Sequence, residues 1–505
     1  MAAVTARAIM IQGTMSGAGK SLLVAGLCRI FAQDGYRVAP FKSQNMALNS
    51  AICADGAEIG RAQAMQAEAA GIEPESAMNP VLLKPTSDTG SQVIVKGRPI
   101  GTMAAREYFA YKRNLVPAIM ECYRDLANRF DVIVIEGAGS PAEINLKSDD
   151  IVNMGVAKRV GAPVLLVGDI DRGGVFAQLA GTMMLLDDDE RALVKATVVN
   201  KFRGDPEILA PGLRQLESLT GVPVAGVVPY TDADIDEEDS QSERLERRRA
   251  DVLVDVAVVR LPHLSNYTDF SALDAIEGVG VRYVRNPRDL GSPDLLIVPG
   301  TKSTLSDLRW MRESGMEALV KRLAERGTSL IGVCGGYQML GREVSDPDGV
   351  EGAGSLAGLG LLPVRTRFAS DKRQVRACGR VTARSGIAAG VSGARIEGYE
   401  IHMGETFLDD PAAEPFCALR SSAGERADGC VAGNVCGTYL HGLFDSSEFT
   451  ERLVRGLFRA KGLSAEAVRA FDMGAYRARQ YDELARAVRS GLDMGLVGRI
   501  LEEGV

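Results

Sequence analysis

The sequence predicts two α/β domains in one chain of 505 residues. Three observations predict this. Short apolar, β-branched runs alternate with helical stretches up to about residue 230, and the alternation resumes from residue 251. A glycine-rich loop ending in Lys20-Ser21 joins the first such run to the first helical stretch. In the second half, Cys334-Gly335-Gly336 ends another apolar run. A chain of this length also exceeds what a single hydrophobic core serves.

In the first domain, residues 1–230, the strand candidates are 8–12, 37–41, 131–135, 163–167, 196–200 and 222–228. Their near-continuous apolar character is that of parallel strands buried on both faces. Helical patterns run from 21 to 34, stopped by Gly35, and over 56–70 and 103–129. The loop Gly13-Thr14-Met15-Ser16-Gly17-Ala18-Gly19-Lys20-Ser21 separates Gly13 from Gly19 by five residues, one more than the usual phosphate-binding loop. Glycines let backbone N–H groups face oxyanions, above all around Gly17 and Gly19. Lys20 neutralises phosphate charge and Ser21 can ligate magnesium. Glycine-rich turns also arise by chance, but the placement between strand and helix favours nucleotide binding.

Other polar residues close strands at the carboxyl edge of the sheet, where ligands bind in such folds. Glu136 ends the run 132–135 and can hold magnesium as a hard oxygen ligand. Asp55 precedes the 56–70 helical pattern, as a second magnesium ligand or as a plain helix cap. Lys42 ends the 37–41 run and can meet phosphate or a substrate carboxylate, or be an ordinary surface lysine. Asp169-Ile170-Asp171-Arg172-Gly173-Gly174 follows 163–167, as a metal or substrate contact or as a capped turn. Asn200 ends 196–200, its amide able to pair with an adenine edge or simply to shape a turn.

An acidic-to-basic stretch over 231–249 marks the linker, taken as 231–250. The second domain, 251–450, opens with strands at 251–259, 294–300 and 329–333, and a β-rich portion runs to Thr438. Residues 451–505 read as a helical tail with Leu453, Leu457, Ala487 and Leu492 on apolar stripes. Cys334 sits where a strand turns sharply into a helix, so the flanking glycines expose the sulfur and the positive helix end favours thiolate. A buried strand cysteine is usually inert, but one in this turn reads as a nucleophile. His441, one of three histidines, is its candidate base. The amide of Gly335 and a backbone N–H at Pro299-Gly300-Thr301 are candidates for holding an oxyanion.

Composition narrows the classes. A net charge of −8 argues against a general nucleic-acid binder. The eight cysteines include no C-x-x-C, which fits free thiols in a reducing cytoplasm. The chain enters a strand at once, with no secretory signal, and no apolar run has the length of a membrane span. A homo-oligomer is left open.

With these residues in view, the chain resembles the cobyric acid synthase family over nearly its whole length. The resemblance rests on the 13–21 loop, Asn45-Met46-Ala47-Leu48-Asn49-Ser50 and Asp169-Ile170-Asp171-Arg172-Gly173-Gly174-Val175-Phe176. It rests equally on Val298-Pro299-Gly300-Thr301-Lys302-Ser303-Thr304, Cys334-Gly335-Gly336-Tyr337-Gln338-Met339-Leu340-Gly341 and Gly398-Tyr399-Glu400-Ile401-His402-Met403-Gly404. The first half also resembles dethiobiotin synthetase, which shares the lengthened loop. That implies Lys20, Ser21 and Lys42 on phosphate, Asp55 and Glu136 on Mg2+, and Asn200 toward adenine. The second half resembles class I glutamine amidotransferases, which implies Cys334 as nucleophile and His441 as its base. Such glutaminases usually carry a glutamate two residues after the histidine. This chain has Leu443 there, a departure the cobyric acid synthase branch shares, and the orienting partner of His441 stays unassigned.

The resemblance implies ATP, Mg2+ and L-glutamine as cofactor and co-substrates, and a corrinoid acceptor: the b, d, e and g carboxylates of adenosylcobyrinic acid a,c-diamide. It further implies that ammonia travels between two reaction centres, on an interdomain path. Two alternatives are weighed beside it: cobyrinic acid a,c-diamide synthase, and a non-synthetic P-loop switch ATPase, for which a Cys334–His441 pair has no use.

Overall fold

The computed structural model describes residues 6–85, 90–235, 252–351, 354–422, 424–465, 468 and 472–503. The linker expected at 231–250 therefore falls mostly outside the described residues. The chain forms two compact units. One comprises Met1–Ala47, Ala57–Glu237 and Ala475–Val505; the other comprises Leu48–Gly56 and Glu238–Gly474.

The first unit is built on a six-stranded parallel sheet. Its order is Val224–Pro229, Val194–Phe202, Val164–Asp169, Arg7–Gly13, Val132–Glu136 and Val38–Phe41. Chain order crosses over at Arg7–Gly13, which lies between Val164–Asp169 and Val132–Glu136. That is the topological switch point where such sheets open a crevice at their carboxyl ends. The strands are short and apolar because helices cover both faces. Helix Lys20–Gln33 buries Leu23, Val24, Leu27, Ile30 and Phe31 in the core. The late helix Met473–Gly491 adds Tyr481, Leu484 and Val488 to the same core. A Cβ on Gly26 would lie 2.7 Å from Val488 Cγ2, so the two helices meet where a glycine leaves room.

A second, four-stranded sheet joins Gln44–Met46, Val81–Pro85, Gly90–Val95 and Arg98–Ala104. The structure departs here from the sequence expectation. The 103–129 stretch gives Met103 and Ala104 to a strand and then splits into Ala105–Tyr111, Lys112–Leu115 and Val116–Arg129. Pro117 in the first turn starts the last helix afresh, since it lacks an N–H for a continuing one. The helix expected over 56–70 begins at Arg61, after the strand Glu58–Gly60.

The second unit carries a six-stranded sheet in the order Val279–Val284, Val254–Val259, Leu295–Val298, Ser329–Val333, Val435–Thr438 and Cys430–Ala432. All neighbours are parallel except the last pair. A largely antiparallel sheet centres on the long strands Val364–Val381 and Arg395–Leu408. Of the 451–505 stretch, helix Ser447–Ala460 packs Phe449, Leu453, Val454 and Leu457 inward in this unit, whereas Ala475–Val505 belongs to the first.

Candidate active site

Strand Ser329–Val333 ends at a backbone that only a held residue adopts. Cys334 has φ 52° and ψ −110°, and its N–H donates to Thr438 O on the neighbouring strand at 2.9 Å. The glycines after it are required by close approach. A Cβ on Gly336 would lie 1.9 Å from Val298 O, and one on Gly335 2.7 Å from Thr301 Cγ2. The helix Gly335–Leu340 thus starts against the end of Leu295–Val298, which fixes the cysteine at its mouth. The Cys334 sulfur lies 3.7 Å from Ile401 O.

Gly300 lies between the two groups the sequence pairs. A Cβ there would stand 2.9 Å from His441 Cε1 and 3.7 Å from Cys334 Cβ. His441 is buried, with the Cys334 side chain close enough to contribute to its electrostatics. Its backbone exchanges two hydrogen bonds with Tyr399, at 2.9 and 3.1 Å, and the Tyr399 ring stacks on the imidazole, 5.3 Å between centroids and 15° between planes.

The partner that sequence left unassigned is Asp269. Its Oδ2 lies 2.6 Å from His441 Nδ1, and its Oδ1 accepts the Gly442 N–H at 3.2 Å. With Nδ1–H committed to that carboxylate, Nε2 is the nitrogen left for the sulfur. Asn266 Nδ2 approaches the same Nδ1 at 3.4 Å. Burial disfavours the imidazolium, but the charges of Asp269 and Cys334 outweigh it and raise the His441 pKa to about 10. Asp269 sits in the turn Tyr267–Phe270, 5% exposed. One signal in the sequence pointed to it: an aspartate between Tyr267 and Phe270 with no basic neighbour, since a carboxylate among apolar residues needs a buried partner. Leu443, at the position where class I glutaminases usually carry a glutamate, is buried.

In the first unit, the loop after Arg7–Gly13 turns through Gly17 at φ 75° and Gly19 at φ 85°. A Cβ on Gly19 would meet Asn200 Nδ2 at 2.3 Å. Asn200 donates from that nitrogen to Ala18 O at 2.9 Å, so it braces the loop from the sheet edge. Lys20 folds back over Gly13 and donates to Met15 O at 2.9 Å and Gly139 O at 3.0 Å. Burial lowers its pKa to about 8, with Glu136 opposing and Lys42 reinforcing that fall.

Glu136 gathers four donors. Ser21 Oγ and Lys42 Nζ each donate to Oε1 at 2.8 Å, and Gln66 and Gln63 donate to Oε2 at 2.6 and 3.3 Å. Burial works against ionisation, yet the Lys42 charge and the hydrogen bonds from Lys42, Gln66 and Ser21 hold the carboxyl below its ordinary range. An ionised carboxylate beside a serine hydroxyl, at the mouth of a glycine loop, is a donor set that fits a hard divalent cation bridging to phosphate. Among the described residues no group of three or more His, Cys, Asp and Glu gathers as for a metal held by protein alone.

The structure therefore brings Gly17, Gly19, Lys20, Ser21, Lys42, Asn200 and Glu136 into one cluster. It brings Cys334, His441, Gly300 and Gly335 into another. Asp55 stands in an exposed turn of Leu48–Gly56, a segment of the second unit. Asp169 is buried beside Lys201 Nζ, at 3.2 Å, one strand away from the loop.

Comparison with known proteins agrees with both halves. Residues 9–244 match the CobQ/CobB/MinD/ParA nucleotide binding domain family, and residues 255–449 match the CobB/CobQ-like glutamine amidotransferase domain family. The chain is 55% identical over 504 residues to the cobyric acid synthase of Ruminiclostridium cellulolyticum, covering 99% of this chain and 98% of that protein. It is 53% identical to that of Lachnoclostridium phytofermentans, covering 99% and 100%. It is 51% identical to that of Citrobacter koseri, covering 98% and 99%. With two matched domains and relatives above half identity over nearly their whole length, the chain belongs to the cobyric acid synthase family.

Proposed function

We propose that the chain is a glutamine-hydrolysing amide ligase that uses ATP to amidate the b, d, e and g carboxylates of adenosylcobyrinic acid a,c-diamide. The observation that carries the reading is the Cys334–His441–Asp269 arrangement in a chain that also holds the Lys20–Ser21–Glu136 cluster. A carboxylate does not condense with ammonia unaided, because oxide is a poor leaving group. One site must activate the acid and another must deliver unprotonated ammonia.

At the glutaminase site, Cys334 attacks the side-chain amide of glutamine. The backbone N–H groups of Gly335 and the Gly300 turn receive the oxyanion, and His441 gives its proton to the departing ammonia. Water then attacks the thioester, His441 takes its proton, and glutamate and the free thiol are restored. Asp269 holds the imidazole in one tautomer throughout. At the synthetase site, backbone amides at Gly17 and Gly19 with Lys20 and Lys42 hold the ATP phosphates, and Asn200 stands at the adenine side. Ser21 and Glu136 would hold Mg2+, which would supply charge neutralisation to the transferring phosphoryl group. The acceptor carboxylate takes the terminal phosphoryl group, ammonia displaces phosphate from the acyl phosphate, and an amide remains.

The competing reading within the same chemistry is action on the unamidated corrinoid acid. Offering both acceptors with ATP, Mg2+ and glutamine decides it. Four amide groups gained on the a,c-diamide support the reading; turnover of the unamidated acid alone overturns it.

A further inference from the structure

One motif in the first half has no part in nucleotide binding as described above: Asn45-Met46-Ala47-Leu48-Asn49-Ser50. Its end begins the segment Leu48–Gly56, which belongs to the second unit although the sequence on either side belongs to the first. Within it Ser50–Ile52 is a short strand, buried at every residue. Its backbone is held at three points. Ser50 N–H donates to Asn266 Oδ1 at 3.2 Å, Tyr399 O–H donates to Ser50 O at 3.1 Å, and Arg376 Nε–H donates to Ile52 O at 2.9 Å.

Two of those three partners are the neighbours of His441. Asn266 Nδ2 packs 3.4 Å from its Nδ1, whose hydrogen is already given to Asp269, and Tyr399 stacks on its ring and exchanges backbone hydrogen bonds with it. The N–H and C=O of a single residue, Ser50, thus grip the side chains on two sides of the imidazole. Asn266 is itself in a left-handed conformation, φ 52°, and 2% exposed, so its amide has little freedom to turn without that anchor.

The ends of the segment lead back to the other chemistry. Lys42 lies six residues before Leu48, and Gln63 seven after Gly56. Both donate to Glu136, which also accepts from Ser21 of the phosphate loop. A polyphosphate that drew on Lys42 and Ser21 would compete with Glu136 for those two donors, and Lys42 stands at one end of this short stretch of chain.

We infer that Leu48–Gly56 is a coupling strap, which positions His441 through Asn266 and Tyr399 and conveys the state of the Glu136 cluster to the Cys334–His441 pair. Asn266 and Tyr399 are positioning residues, and Ser50 is their anchor. The inference rests on Cys334 and His441 being a glutaminase. Its benefit is chemical: glutamine is hydrolysed fast only when an acyl phosphate is there to take the ammonia. Coupling of this kind is a free energy shared by both sites, so it is lost when the link is cut while each site survives.

The test is Tyr399→Phe, which keeps the ring on the imidazole and removes the O–H that donates to Ser50, with Asn266→Gly as a second variant that keeps the left-handed backbone accessible. Glutamine hydrolysis is measured with and without ATP plus the a,c-diamide, and amidation is measured from ammonium chloride. The expected result is a fall of about five- to tenfold in the stimulation of hydrolysis by ATP and acceptor, the scale of one hydrogen bond. Amidation from ammonium is unchanged. Full stimulation in both variants overturns the strap. So does an equal fall in ammonium-driven amidation, which would make these residues part of the general fold. Failure of the wild-type protein to hydrolyse any glutamine is a different result, and overturns the glutaminase reading and the strap together.

Discussion

Asp269→Asn isolates the charge that holds His441. The amide matches the carboxylate in size and can still accept from Nδ1–H, but it carries no charge. In the wild-type protein the histidine is raised from 6.5 to about 10 against the pull of burial. That rise is worth roughly 5 kcal/mol at 1.36 kcal/mol per pKa unit. Asp269 and the Cys334 sulfur both contribute to it against the cost of burial, with the Asp269 charge the larger of the two. Removing the Asp269 charge should cut glutamine hydrolysis by at least about tenfold and at most about 3 × 10³-fold, the ceiling set by the whole rise, since 1.4 kcal/mol is a factor of ten. Amidation from ammonium chloride should stay near wild type. Glutamate release under saturating ATP and acceptor reads the first quantity, and product formation from ammonium the second. A variant within twofold of wild type in glutamate release would refute the role of Asp269. The same shift makes a stability prediction. A folded pKa above the unfolded one gives stability that is complete below pH 6.5 and lost as pH rises toward 10. Wild type should therefore lose thermal stability across that window, and Asp269→Asn should lose less.

Other outcomes follow from the same geometry. Cys334→Ser should abolish glutamine-dependent amidation and keep the ammonium-dependent reaction, read by product formation from each nitrogen source. Lys20, lowered to about 8 by burial, should regain its proton when phosphate arrives. Nucleotide binding near pH 8 should then take up about half a proton, measured by calorimetry in buffers of differing ionisation heat. Glu136→Gln breaks the buried pair with Lys42, which should cost roughly 3–5 kcal/mol in denaturant unfolding and abolish amidation from either nitrogen source. Gly336→Ala drives a Cβ to 1.9 Å from Val298 O and should destabilise by about 1–3 kcal/mol, with glutamine-dependent turnover lost first.

The parts of the fold that local sequence states were readable in advance. The central parallel strands, such as Val132–Glu136, Val164–Asp169 and Leu295–Val298, are nearly continuous apolar runs because both faces are buried, whereas the edge strand Val279–Val284, with Arg282 and Tyr283 half-buried, carries no such signal. The phosphate loop and the Cys334 turn declare themselves in consecutive residues, since glycines at fixed offsets answer backbone needs that other residues cannot meet. What sequence did not disclose depends on partners far along the chain. Asp269 and His441 are joined across 172 positions with no motif around the aspartate. Leu48–Gly56 reads as a continuation of the first domain, and only its packing assigns it to the second unit. The strands within 81–104 carry mixed polar and apolar residues, and their end merges with a helical pattern that continues past Met103. The helices of 475–505 show an apolar stripe, but a stripe does not name the sheet it covers.

The central claim is that nitrogen freed at Cys334 is the nitrogen captured by the activated corrinoid carboxylates. Glutamine labelled with heavy nitrogen at its side-chain amide, supplied with ATP, Mg2+, the a,c-diamide and an excess of unlabelled ammonium, tests it in one mass spectrum. The account predicts heavy nitrogen in each new amide of the wild-type product and only light nitrogen in the Cys334→Ser product. Heavy nitrogen persisting in the Cys334→Ser product, or a wild-type protein that hydrolyses ATP while leaving the corrinoid unaltered, would contradict it.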